Sequence, residues 1–197
     1  MGRVSKDALP YFLFSGVKNM AKKKEIYNYK NPQFYNLRDP MRGVMTAYMN
    51  AEKWFATIKE ITWAEFGMKF LTDGIHAYEH LQPEAIDEFK GIMAQYGLEV
   101  EYPATSELTE EFPDLDRVFE VCVQILDEIN VALSRFIKET NNETFEPLAR
   151  QAEQLQINNS MLRTKMLEAW SMFDGSTSLS SFDKWCKSLF DDGGDDE

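Results

Sequence analysis

Four stretches of this chain repeat apolar residues at alternating steps of three and four, the spacing that lines one face of an α-helix. The cleanest spans 114–140. Leu115, Val118, Cys122, Ile125, Ile129, Ala132 and Phe136 make one row, and Phe119, Val123, Leu126, Leu133 and Ile137 widen it. Asp116, Glu120, Gln124, Asp127, Arg135 and Lys138 fall opposite. At 1.5 Å per residue such a helix is roughly 40 Å long. An earlier helix opens at Asp39-Pro40, where a carboxylate can accept from free N–H groups and proline gives up no bond. Its stripe is Met41, Val44, Tyr48, Ala51, Phe55 and Ile58, and Gly67 marks its end. The next carries Leu71, Ile75, Tyr78, Ala85, Ile86, Phe89, Ile92 and Met93 up to Gly97. Pro83 interrupts it, so either the helix kinks there or two helices meet. After Asn141-Asn142 the fourth stripe is Phe145, Leu148, Ala152, Leu155, Asn159, Leu162, Met166, Ala169 and Phe173.

Between the second and third stripes, residues 98–105 read as a connection and 106–112 as a short capped helix. A final short helix follows, with Ser180 as cap and Asp183 completing a capping box. Its apolar side is Phe182, Trp185, Cys186 and Leu189, and five of the last seven residues are acidic. The expected fold is all-α: a four-helix bundle over 39–175, an extended arm over 1–38, and a short helix with an acidic tail over 176–197.

Composition narrows the class. Seven prolines and ten glycines are few for this length and favour long uninterrupted elements. No apolar run approaches the roughly 20 residues that cross a bilayer. Residues 8–14 contain Pro10 and follow Asp7, unlike a signal peptide, and Lys6 breaks the myristoylation pattern. Two cysteines are too few for a disulfide framework or a structural zinc site. The expectation is a soluble protein of a reducing compartment with no membrane partner, located in the cytoplasm or within a virion.

Net charge is −12, unevenly spread. Residues 1–40 hold eight Lys/Arg against three Asp/Glu, a net +5, which leaves −17 on the remainder. Arg3, Lys6, Lys18, Lys22, Lys23, Lys24 and Lys30 alternate with Tyr11, Phe12, Phe14, Tyr27 and Tyr29. A basic, aromatic arm on an acidic body reads as a binding segment for nucleic acid or an acidic neighbour, or else as a solubilising tail.

Thr62-Trp63, Ile75-His76-Ala77-Tyr78 and Ala85-Ile86-Asp87-Glu88-Phe89 running to Gly97 resemble the middle of the Dps-type mini-ferritins, a ferritin-like family. Val100-Glu101-Tyr102-Pro103 and Met161-Leu162-Arg163 extend the resemblance over roughly 45–170. It implies a dodecameric shell that oxidises Fe(II), stores the mineral and sometimes coats DNA through a basic arm. It also implies an iron site at a two-fold interface, with histidine from one helix and an aspartate and a glutamate from the partner. Asp87 matches the aspartate place, whereas Gly91 stands at the glutamate and Thr62 at the first histidine. His76 or His80 is nearest the second histidine place. The family's ferroxidase set is therefore incomplete.

A different metal site is conceivable on the same helix. Asp73, His76, His80, Glu84 and Asp87 share one stripe, and the Asp73–His76 and His76–His80 spacings put ligands on adjacent turns. The same stripe also reads simply as the wet side of an amphipathic helix. A di-iron bundle would need two Glu-x-x-His pairs and two further glutamates. Glu52 borders the first apolar face, and Glu153-x-x-Gln156 is the nearest second pair, with glutamine a poor ligand. Asp73, His76, His80, Asp87 and Glu52 are thus the candidate ligands for iron or another divalent ion. No serine elbow, cysteine–histidine pairing or Gly-rich phosphate loop is present. Two functions remain in view. One is a self-assembling ferritin-like protein with a degenerate iron site. The other is a non-enzymatic structural or adaptor component of a larger assembly such as a virion, docking through its arm and through Phe182, Trp185 and Leu189.

Overall fold

Each of the four stripes folds as one long helix in the computed structural model, which describes residues 32–141, 145–173 and 175–190. They are α1 (Arg38–Phe66), α2 (Lys69–Gln95), α3 (Leu115–Thr140) and α4 (Glu146–Met172). A short α5 (Leu179–Phe190) follows, and a single helical turn (Pro32–Tyr35) precedes α1. No strand occurs among the described residues, and no helix there is long and apolar enough to cross a membrane.

Local chemistry sets most of the boundaries. Gly67 adopts φ 63°, the left-handed region that costs glycine nothing, and ends α1 with its N–H donating to Trp63 O. The chain then reverses directly into α2. Asp39 and Pro40 lie inside the first turn of α1 and not ahead of it. Leu37 is the capping position and its carbonyl accepts from Met41 N at 2.9 Å. Asp114 caps α3 as its type favours, accepting from Arg117 N at 2.9 Å.

Pro83 does not split α2, which continues through it as one helix. The proline withholds one backbone donor. Just ahead of it the Gln82 side chain donates to Tyr78 O at 2.6 Å, which helps hold that turn closed.

Two expectations need correction. Residues 106–112 form no helix, and both backbone groups of Ser106 at the segment's start are bonded to α1. Ser106 N donates to Asn50 Oδ1 at 2.9 Å and Trp54 Nε1 donates to Ser106 O at 3.0 Å, so α1 holds the segment extended. At the other end, Ser178 and not Ser180 precedes the short helix, its carbonyl accepting from Ser181 N and Phe182 N at 2.9 and 3.0 Å. The Asp183 side chain reaches out of its own helix. Its Oδ1 accepts from Phe70 N at 2.9 Å and Leu71 N at 3.0 Å, capping α2, where Met68 offers no side-chain acceptor.

The connection between α2 and α3 fixes the topology. Glu101 pairs with Arg38 at the start of α1 (2.9 Å), Ser106 lies against Asn50 and Trp54, and Glu107 pairs with Lys53. The strap therefore travels along α1 toward that helix's end before α3 begins. As a result α2 and α3 run parallel to each other, and both run antiparallel to α1. Along α4, Gln156 meets Asn130, Arg163 meets Asp127 and Trp170 meets Asp116, so α4 is antiparallel to α3. Helix α1 packs on α2 and α3, α4 packs on α3 and more lightly on α2, and α5 lies across α2 and α4.

Phe55, Leu71, Phe89, Phe119, Ile129 and Phe136 are fully buried where these helices meet. Burying each contributes about 1.5–3 kcal/mol. At one end Phe119, Phe173 and Phe182 cluster with ring centroids 5.2–6.2 Å apart. At the other, Phe34 meets Phe145 at 5.0 Å, so residues just before α1 already belong to the core.

Candidate functional site

Helix α2 presents His76, Glu79 and His80 on its outer side, one turn apart. The two Nε2 atoms lie 3.1 Å apart, with ring centroids 4.3 Å apart. His76 Nδ1 lies 3.0 Å from Glu79 Oε2. From α1, Lys59 Nζ reaches Glu79 Oε2 at 2.5 Å and His76 Nδ1 at 3.0 Å. Partial burial pushes the Glu79 carboxyl up, but the hydrogen bonds and charges of Lys59 and His76 outweigh it and hold Glu79 below the usual carboxylate range.

The other expected ligands are not brought to this pair. Asp73 lies beside Phe70, Gly74, Lys187 and Phe190, on the side where α5 packs. Asp87 is exposed and paired with Lys90 at 2.8 Å, and two helical turns separate it from His80. Glu52 is half-buried on α1. Among the described residues no three of His, Cys, Asp and Glu converge as a metal site. Of the five expected ligands, the fold brings one pair together, His76 and His80. Sequence reasoning missed Glu79 and Lys59. Glu79 stood off the chosen stripe although three residues from His76, and Lys59 had no sequence-local signal.

A second feature lies between α2 and α4, a cleft of about 310 Å³. Tyr48, Gln82 and Asn159, from three helices, supply its buried polar wall, and Leu81, Leu155 and Met161 its apolar part. Asn159 Nδ2 donates to Leu126 O at 2.8 Å and to Asn130 Oδ1 at 2.9 Å, which ties α4 to α3. Gln82 Oε1 is buried without a hydrogen-bond partner. Burial, with the Glu88 charge, pushes the Tyr48 hydroxyl well above its ordinary value. The buried polar residues described are Asn50, Thr62, Gln82, Thr140, Asn159 and Asp183. The single carboxylate in that set is the α2 cap. No inward-facing Glu-x-x-His pair is found there.

The positions matched to the mini-ferritin site are equally spread out. Thr62 is buried and donates to Ile58 O at 2.8 Å, while Gly91 is exposed. Phe182, expected to dock a partner, is buried in the chain's own aromatic cluster. Trp185 stacks on Phe182 and, like Leu189, is half-buried. Both cysteines are free and buried. Burial pushes the Cys122 thiol far up, and burial with the Asp183 charge pushes Cys186 up to about 12, so neither is primed as a nucleophile. Arg3, Lys6, Lys18, Lys22, Lys23, Lys24 and Lys30 lie outside the described residues.

No protein-family model matches the chain, and no curated protein matches it.

Proposed function

We propose that this chain is a ferritin-like four-helix-bundle subunit that self-assembles through its helix faces and has lost the interior iron centre of that class. The observation that carries this reading is the strap along α1. It joins two antiparallel helix pairs through one long crossover, the connectivity that ferritin-like bundles use. The resemblance over 45–170 falls on the same four helices. Where such a bundle would point carboxylates and histidines inward, Tyr48, Gln82, Asn130 and Asn159 provide neutral groups. Leu81, Ile157 and Met161, 38%, 54% and 61% exposed on α2 and α4, supply apolar surface for a neighbouring copy. In this reading iron or DNA binding would rest on surface groups and on the basic arm. Native mass spectrometry of the full-length protein tests it: a closed multimer near a dodecamer is expected, and a monomer at high concentration would overturn it.

A second reading is a non-enzymatic structural or adaptor component. It is favoured by the use of the single described buried carboxylate, Asp183, as a helix cap, which makes the interior a packing core. That reading predicts a monomer or dimer that gains mass only with a partner.

A further inference from the structure

We propose that His76 and His80 form a two-histidine chelate for a divalent first-row transition ion, with Glu79 as the group that orients it. The inference is independent of the assembly reading.

Distance is the first argument. An ion bound by imidazole nitrogens at about 2.0–2.1 Å needs them roughly 2.9 Å apart at a right angle and roughly 3.3 Å apart at the tetrahedral angle. The Nε2–Nε2 separation here is 3.1 Å, inside that window. Without an ion, the same separation is an N–H···N hydrogen bond.

The second argument is orientation. Histidines that bind metals usually donate their other ring N–H to a carboxylate, which fixes the tautomer and leaves the ligating nitrogen unprotonated. His76 Nδ1 sits 3.0 Å from both Glu79 Oε2 and Lys59 Nζ; with the proton on Nδ1 donated to Glu79, Nε2 is left free to bind. Lys59 grips the same oxygen from α1, so the orienting carboxylate is anchored to two helices.

Access and selectivity follow from the surroundings. The His76 side chain is 46% exposed, so an ion reaches Nε2 from solvent without unfolding. Two imidazoles and no converging carboxylate suit Cu²⁺, Ni²⁺ and Zn²⁺ and give Mg²⁺ and Ca²⁺ nothing hard to bind. The remaining coordination positions are open to water or to a group on another molecule, so affinity should be weaker than at a closed four-ligand site.

Isothermal titration of the full-length protein with ZnCl2 at neutral pH, with MgCl2 as control, tests the proposal. Cu²⁺ electron paramagnetic resonance then counts bound nitrogens. One Zn²⁺ site is expected, lost or weakened at least tenfold in His76→Gln and in His80→Gln, with Mg²⁺ silent and two nitrogens on Cu²⁺. Glu79→Gln should weaken binding roughly tenfold with both ligands retained. Asp73→Asn and Asp87→Asn should bind as wild type. Circular dichroism verifies that each variant remains folded. Zn²⁺ binding unchanged in both histidine variants would place the ion elsewhere, for instance on the acidic residues 191–197, and would overturn the proposal. So would no Zn²⁺ binding at all, or a Cu²⁺ spectrum without nitrogen ligands.

Discussion

Replacing Asp183 with alanine should destabilise α2, a helix more than a hundred residues earlier in the chain. Its Oδ1 accepts from Phe70 N and Leu71 N, the second and third residues of α2, which are the donors an N-cap satisfies. Hydrogen bonds to a charged acceptor are worth about 1.5–3 kcal/mol each, but they are not additive and the carboxylate has itself been desolvated. Leu71 is fully buried, so its N–H would find no water in place of the lost oxygen. A net cost of about 2–3 kcal/mol follows for Asp183→Ala, near or somewhat above the upper end for ordinary cap removal. Asp183→Asn keeps an acceptor and loses the charge that favours a helix N-terminus, so it should cost about 1 kcal/mol. Urea unfolding followed by far-ultraviolet circular dichroism measures both. Amide exchange at Phe70 and Leu71 localises the effect, and protection there should fall most in the alanine variant. If both variants stay within about 0.5 kcal/mol of wild type, or the amides of Phe70 and Leu71 exchange as before, the cap contributes little and the reasoning fails.

Other consequences can be measured with the same protein. A Cβ at Gly74 would lie 2.6 Å from Phe190 Cγ. Gly74→Ala should therefore loosen α5 and destabilise by about 1 kcal/mol even though alanine is the better helix former, and adding Phe190→Ala should remove that penalty in a double-mutant cycle. Gln82→Met removes an orphaned buried oxygen but also the Nε2 donor that bonds Tyr78 O, so the two effects offset and thermal unfolding should show a change of less than about 1 kcal/mol. Phe119→Ala removes one fully buried ring of the Phe119–Phe173–Phe182 cluster and should cost about 3–5 kcal/mol in urea. The Cys186 thiol stays protonated in the fold up to about 12 from a usual value near 9. The unfolded chain releases that proton first, so stability should be fully present below about pH 9 and fall as pH rises toward 12, as chemical denaturation across that range will show.

What could be read from the chain, and what could not, divides by the reach of the interaction. Helices α1 to α4 were legible because apolar periodicity is written locally: Leu115 to Phe136 defines its buried face without knowing what it packs on. Gly67 was legible too, since a helix end needing positive φ names its own residue. Residues 106–112 misled for the opposite reason. Their local pattern favours a capped helix, but Asn50 and Trp54, more than fifty residues away, take the backbone groups of Ser106 and hold the strap straight. Asp183 was read as a cap for the helix it belongs to, and it caps a different one. The candidate site shows the same division. The His76–His80 spacing was visible because i and i+4 on one helix must be neighbours, whereas Lys59 comes from another helix and enters only once α1 and α2 are packed. The long-range bonds that overruled local pattern also decide the topology. The strap that Asn50 and Trp54 straighten is what carries the chain along α1 and makes α2 and α3 parallel. A sequence expectation of four helices therefore needed only local information, but the order in which they surround the core did not follow until the contacts of Ser106 and Glu101 were known.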